Sequence, residues 1–140
     1  MTSNAVIWLT ELDYTRLKGL LDLQTRHLRT TERELQALEN ILEMARVVRA
    51  EDVPQDVVTM NSHVLFRDLG TGEEDKVTIA YPADAQPSSG RISVLSPVGA
   101  ALVGATEGQE IELPLPRGNI RHIRVESVIY QPEAQGHFAL

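Results

Sequence analysis

The 140-residue chain contains no cysteine, which excludes a disulfide framework and any thiolate metal site. Aromatic residues are scarce: one tryptophan, three tyrosines and two phenylalanines. Long apolar runs are missing as well. The N-terminal stretch Ala5 to Leu9 lacks the basic flank and the length of a signal peptide, and nothing approaches the roughly 20 apolar residues of a membrane-spanning helix. A cytoplasmic protein with no membrane association is expected. Basic residues are short in one part of the chain. Residues 1–50 carry seven Arg/Lys and seven Asp/Glu, whereas residues 51–140 carry six and thirteen, so the net charge of −7 belongs to the second part. An acidic surface repels phosphate backbones, which argues against direct duplex DNA binding and toward a protein partner.

Residues 11–50 contain no proline and a single glycine, Gly19, so little interrupts a helix there. Leu17, Leu21, Gln24 and Leu28 are spaced 4-3-4, and Leu35, Leu38, Leu42 and Ala45 are spaced 3-4-3. These spacings predict an antiparallel helical hairpin, a short coiled coil with its turn near Leu28 to Thr31. Thr10 or Asp13 is placed to cap the first helix, and Thr31 with Glu34 forms a capping box for the second. An arm of about sixteen residues is about 24 Å long.

Glu51 to Asp56, with Pro54 inside it, breaks the helical pattern and sets the boundary between a hairpin of residues 1–50 and a second unit of residues 51–140. From Val57 onward the apolar period is two. Val77, Ile79 and Tyr81 form one alternating run, Ile111, Leu113 and Leu115 another, and Ile123 and Val125 a third. Turn clusters at 70–72, 82–90 and 114–119 separate them, which predicts an antiparallel sheet with one short helix and an α+β fold.

Few residues are arranged for chemistry. His27, His63, His122 and His137 show no ligand spacing, so no metal site is expected. Ser62 and His63 are neighbours on a strand and point to opposite faces, which excludes a nucleophile–base pair. Gly70-Thr71-Gly72 leads into an acidic turn, not a helix, and is no phosphate cradle. Neither catalytic residues nor a cofactor are implied.

The most specific segment runs from Ile92 to Gly104. Ile92 to Leu95 reads as a short buried strand. Ser96 stands at an N-cap position, and Pro97 follows at the first helical residue, where its missing N–H is harmless. Val98, Ala101 and Leu102 give one apolar stripe, and Gly104 is placed to end the helix. This Ser-Pro-Val, Ala-Leu-Val-Gly run, closed by Gly108-Gln109-Glu110, resembles the C-terminal domain of the bacterial Gre transcript-cleavage factors, which has an FKBP-like fold. Asn61 to Val64 with Asp68 to Glu74 resembles the first hairpin of that fold, and Pro116-Arg117-Gly118 with Ile123, Val125 and Tyr130 its closing hairpin. Asp56 to Ser62 and Tyr130 to Ala134 resemble a shorter branch of the family, the regulators of nucleoside diphosphate kinase.

The resemblance implies RNA polymerase as partner, with Leu95, Ser96, Pro97 and Val98 docking at the rim of its secondary channel. In the Gre factors the tip of a longer coiled coil carries two acidic residues that hold a catalytic magnesium. Here the tip holds Arg26, His27, Arg29, Glu32 and Arg33, and the acidic pair is not matched. The expectation is therefore a monomeric, non-enzymatic regulator that occupies the channel entrance and excludes longer factors. Two alternatives stand beside it: an FKBP-like prolyl isomerase, for which residues 51–140 offer only Phe66, Tyr81, Tyr130 and Phe138 as pocket aromatics, and a module that self-associates through the apolar seam of its hairpin.

Overall fold

The computed structural model describes residues 6–27, 31–114 and 118–138. Strand β1 (Ile7–Thr10) leads directly into helix α1 (Glu11–His27). Thr10 is the cap of α1: its Oγ1 accepts the Asp13 N–H at 3.1 Å. Helix α2 (Glu32–Met44) begins with the expected capping box, the Thr31 hydroxyl oxygen accepting the Glu34 N–H while Glu34 Oε1 accepts the Thr31 N–H. The turn residues Leu28 to Thr30 lie outside the described residues.

The helical seam differs from the heptad spacing toward the C-terminal end of α2. Leu17 and Leu38 are fully buried, as the heptad spacing requires, but the second fully enclosed residue of α2 is Ile41, not Leu42. Ala45 is not on the helix at all. Ala45–Val48 forms β2, which pairs in parallel with β1, Ile7 opposite Ala45 and Thr10 opposite Val48. The β-branched pair Val47-Val48 favours strand once a partner lies alongside, and that partner is distant in sequence. The guanidinium of Arg46 stacks over the Trp8 ring at 4.8 Å, so the tryptophan packs at the helix entry.

The remaining strands are β3 (His63–Asp68), β4 (Glu74–Ala80), β5 (Arg91–Ser93), β6 (Glu110–Pro114) and β7 (Ile120–Tyr130), ordered β5-β4-β3-β7-β6. The α+β reading holds, and the pairing is antiparallel except at one edge, where β4 and β5 run parallel. Residues 81–90 make that crossover through two short 3-10 turns, Pro82–Asp84 and Pro87–Ser89. Tyr81 accordingly lies just beyond β4, not within it. On β3 the alternation sends Val64, Phe66 and Asp68 inward and leaves His63, Leu65 and Arg67 half-exposed. Leu115 lies outside the described residues.

Short helix α3 (Pro97–Leu102) closes one face of the sheet. The core beneath it is continuous: Leu9, Leu17, Leu38 and Ile41 from the hairpin join Met60, Val94, Leu102 and Ile123 in one buried cluster. Burial of each such aliphatic side chain contributes about 1.5–3 kcal/mol before conformational entropy is set against it. Among the described residues, no helix is long and apolar enough to cross a membrane.

Candidate functional site

The Ser-Pro corner is built by local chemistry. Ser96 Oγ accepts the Gly99 N–H at 3.1 Å and donates to the Ser93 carbonyl at 2.6 Å. Its own carbonyl accepts the Ala100 N–H at 2.8 Å, the first helical bond of α3. Pro97 occupies the first helical position. Gly99 is required for a steric reason: a Cβ there would collide with the Ser93 carbonyl, because α3 is pressed onto the end of β5. Gly104 ends the helix with φ of 78°, and it also admits β1, since a Cβ would meet Ile7 Cγ2 and the Trp8 backbone. The Trp8 N–H donates to the Gly104 carbonyl at 3.1 Å, and the Gly104 N–H donates to the Val58 carbonyl at 2.7 Å.

This corner presents its residues unequally. Pro97 is exposed, Ser96 and Val98 are half-buried, and Leu95 is turned into the core with 6% exposure. Leu95 therefore shapes the corner from beneath. Beside it, α2 faces α3 and β6 across a groove of ≈ 590 Å³. Leu95, Pro97, Ala100, Ala101, Ile111 and Leu113 line one side and Ile41 the other, while Arg33, Glu39, Glu43 and Glu112 stand at the margins. None of the residues lining the groove is aromatic.

At the hairpin end, Glu32 and Arg33 are exposed and Glu34 is engaged in its capping box. Arg33 lies within reach of the groove, so one basic residue of the expected tip belongs to the groove margin. Arg26 and His27 fall in the last turn of α1, and Arg29 lies outside the described residues. Among the described residues, no group of three or more His, Asp or Glu is placed to hold a metal ion.

A second polar cluster, which local patterning does not reveal, lies under the foot of the hairpin. Asp13 is almost fully buried, with Oδ2 accepting the Met60 N–H at 3.2 Å and Oδ1 accepting the Tyr81 hydroxyl at 3.0 Å. Burial first, and then the nearby Glu133 carboxylate, push the Asp13 carboxyl up to about 6. Burial likewise raises the Tyr81 phenol, with Asp13 adding to it. Thr59 Oγ1 donates to Glu133 Oε1 at 2.7 Å, and Gln131 Nε2 donates to the carbonyls of Pro54 and Val57 at 2.7 and 2.8 Å. The segments 56–62 and 130–134, noted separately in the sequence, thus meet in a single buried seam.

The charged side chains along the sheet pair with one another, Asp68 with Arg121 on the side of Phe66 and Glu126 with Arg67 and Arg124 on the other. Asp68 caps its own turn through the N–H groups of Gly70 and Thr71 and receives Arg121 Nε at 2.6 Å, which holds its carboxyl below the usual range. Hydrogen bonds from Arg124 and Arg67 hold Glu126 down to about 2. These charges are already paired within the chain.

The family model described as "Transcription elongation factor, GreA/GreB, C-term" matches residues 53–130. The chain belongs to the GreA/GreB family. The matched span contains the Ser-Pro corner and β3 to β7 and leaves the helical hairpin outside it. Among curated GreA/GreB relatives, the regulator of nucleoside diphosphate kinase of Escherichia coli K12 is 45% identical over 104 residues, 74% of this chain and 76% of that protein. The transcription elongation factor GreA of Listeria welshimeri is 32% identical over 69% of this chain and 60% of its own length. A solved transcription elongation factor GreA/GreB from Nitrosomonas europaea superposes with a TM-score of 0.70 at 40% identity, covering 89% of this chain and 98% of that one. That similarity to the GreA/GreB structure includes hairpin and sheet together.

Proposed function

We propose that the chain is a non-catalytic regulator of transcription elongation that docks on RNA polymerase at the rim of the secondary channel and competes there with longer Gre-type factors. In this reading residues 51–140 dock and residues 1–50 form the element that points toward the channel. The observation that carries it is the Ser96-capped start of α3, which leaves Pro97 exposed on the part of the chain that matches the Gre C-terminal domain. The rest of the chain is consistent with occupancy without chemistry. The 13 residues of α2 give an arm of about 20 Å, short for reaching a buried active centre. Glu34 is committed to its cap, and Glu32 stands beside Arg33 at the helix start, where acids are already stabilised by the helix dipole.

The rival readings lack such an observation. A prolyl isomerase needs an aromatic pocket, and the residues lining the groove include none. Self-association through the hairpin seam needs free leucines, whereas Leu17 and Leu38 are consumed within the chain. In the proposed reading the chain acts on polymerase as a cytoplasmic monomer.

The test is a stalled elongation complex with labelled RNA. The protein alone leaves transcript length unchanged, and rising concentrations slow cleavage by an added Gre-type factor, with excess factor restoring it. A folded Ser96→Ala, Pro97→Ala variant loses the competition. Shortened transcripts with the protein alone, or undiminished cleavage at saturating concentration, reject the reading.

A further inference from the structure

The root of the hairpin carries an open strand edge. β1 and β2 form a ribbon of their own, and among the described residues no strand or isolated bridge lies on the outer side of β2. A strand with one partner keeps half of its N–H and C=O groups unpaired, at the spacing of another strand. The usual guards of such an edge are thin here. Ala45–Val48 contains neither proline nor lysine, and its register with β1 runs without a bulge. Arg46, the one charged residue within β2, is drawn over the Trp8 ring. What restrains the edge is its length of four residues. Apolar side chains gather at the same place: Val6 and Met44, just before the two strands, and Val47 within β2 are 39%, 47% and 43% exposed.

We propose that the outer edge of β2 receives an extended, acidic segment of a partner protein as a third strand of this ribbon. The unpaired groups of the edge alternate donor and acceptor, which a polypeptide backbone matches and a nucleic acid or lipid headgroup does not. Charge narrows the choice further. Arg46 is in no ion pair among the described residues, and Arg49, just past the strand, shares Glu51 at the surface. Glu11, Glu43 and Glu51 stand beyond the strand ends, so the ribbon attracts a single carboxylate opposite Arg46 or Arg49 and repels a polyanion such as RNA. A second copy of the chain is disfavoured on the same ground, because pairing β2 with itself brings the arginines of both chains together. Met44 and Val47 supply the apolar contact for alternate side chains of the added strand. β2 lies outside the span 53–130 that matches the Gre C-terminal domain, and the inference does not depend on the docking reading.

The test uses the isotope-labelled full chain and a synthetic peptide of about eight residues in which valines alternate with aspartates. One control peptide carries lysines in place of the aspartates. A second keeps the aspartates but is N-methylated at every backbone amide, which removes its ladder donors. With the first peptide alone, slowed amide exchange in Ala45–Val48 and magnetisation transfer between peptide and β2 are expected. Arg46→Glu with Arg49→Glu weakens that binding by about tenfold or more, with a thermal melt to verify that the variant is folded. The N-methylated control acts on the unaltered chain, so it decides the matter even where the variant unfolds. Equal binding of either control, contacts elsewhere on the chain, or no binding of the first peptide overturns the proposal. So does a single-stranded oligonucleotide that binds at Arg46 in preference to the acidic peptide, or self-pairing of β2 at rising chain concentration without peptide.

Discussion

Asp13 is a carboxyl group held where its charge is poorly tolerated, and pH should expose that. Its folded value of about 6 lies above the ordinary 3.8, so the folded state favours the protonated form. Its contribution is fully present below about pH 4 and is lost as pH rises through about 6, by up to about 3 kcal/mol. The groups facing it are Glu133, which strengthens the effect, and Tyr81 and Arg16, which oppose it. Asp13→Asn is expected to flatten this part of the profile. Urea midpoints of parent and variant at pH 4, 5 and 7 check it, and a parent–variant difference that stays constant across the series rejects it. Glu126 and Asp68 act in the opposite direction, losing their contribution as pH falls below their ordinary values of 4.5 and 3.8, and being common to parent and variant they cancel in the comparison. The cap at Ser96 was legible in the sequence because capping is a matter of neighbours. The burial of Asp13 was not, since its partners Met60, Tyr81 and Glu133 come from three distant segments.

Helix α3 joins sheet and groove, and its seating depends on a missing side chain. Gly99→Ala is expected to destabilise the fold by about 1–3 kcal/mol, because the added methyl meets the Ser93 carbonyl and α3 must lift away from β5. Gly19→Ala is the control, as a Cβ at Gly19 meets nothing. It should be neutral or slightly stabilising by helix propensity. Thermal melts of the two variants separate these outcomes, and equal melting points would contradict the close contact. Both helices of the hairpin, α3 and most strands were legible from periodicity, whose signal is contained in each segment. Strands β1 and β2 were not, because each becomes a strand only through its partner at the other root of the hairpin, and the short strand read at 92–95 lies at Arg91–Ser93 with a parallel pairing to β4 that its own residues do not specify.

For the whole molecule, the change of apolar period near Pro54 does not coincide with a division of cores. Leu9, Leu17, Leu38 and Ile41 lie in the same buried cluster as Met60, Val94 and Ile123. A fragment of residues 51–140 would expose that surface to water, and each lost aliphatic contact costs on the order of 2–5 kcal/mol in core truncations. The fragment is expected to bind a hydrophobic dye and unfold at a lower denaturant concentration than the full chain. An equal midpoint with no dye binding would show the sheet domain to be self-sufficient.

The pairing of β1 with β2 also has a mechanical consequence. A helical arm joined to its base by one linker swivels, but this arm is gripped at both roots by strands hydrogen-bonded to each other. Such an arm is a cantilever: it can bend along its length and cannot rotate freely where it meets the base. One of those roots is bonded through Trp8 to Gly104, at the end of α3. A force applied at the far end of the hairpin is therefore delivered to the helix whose other end bears Pro97. Push on the arm, and the contact between Trp8 and Gly104 takes the load.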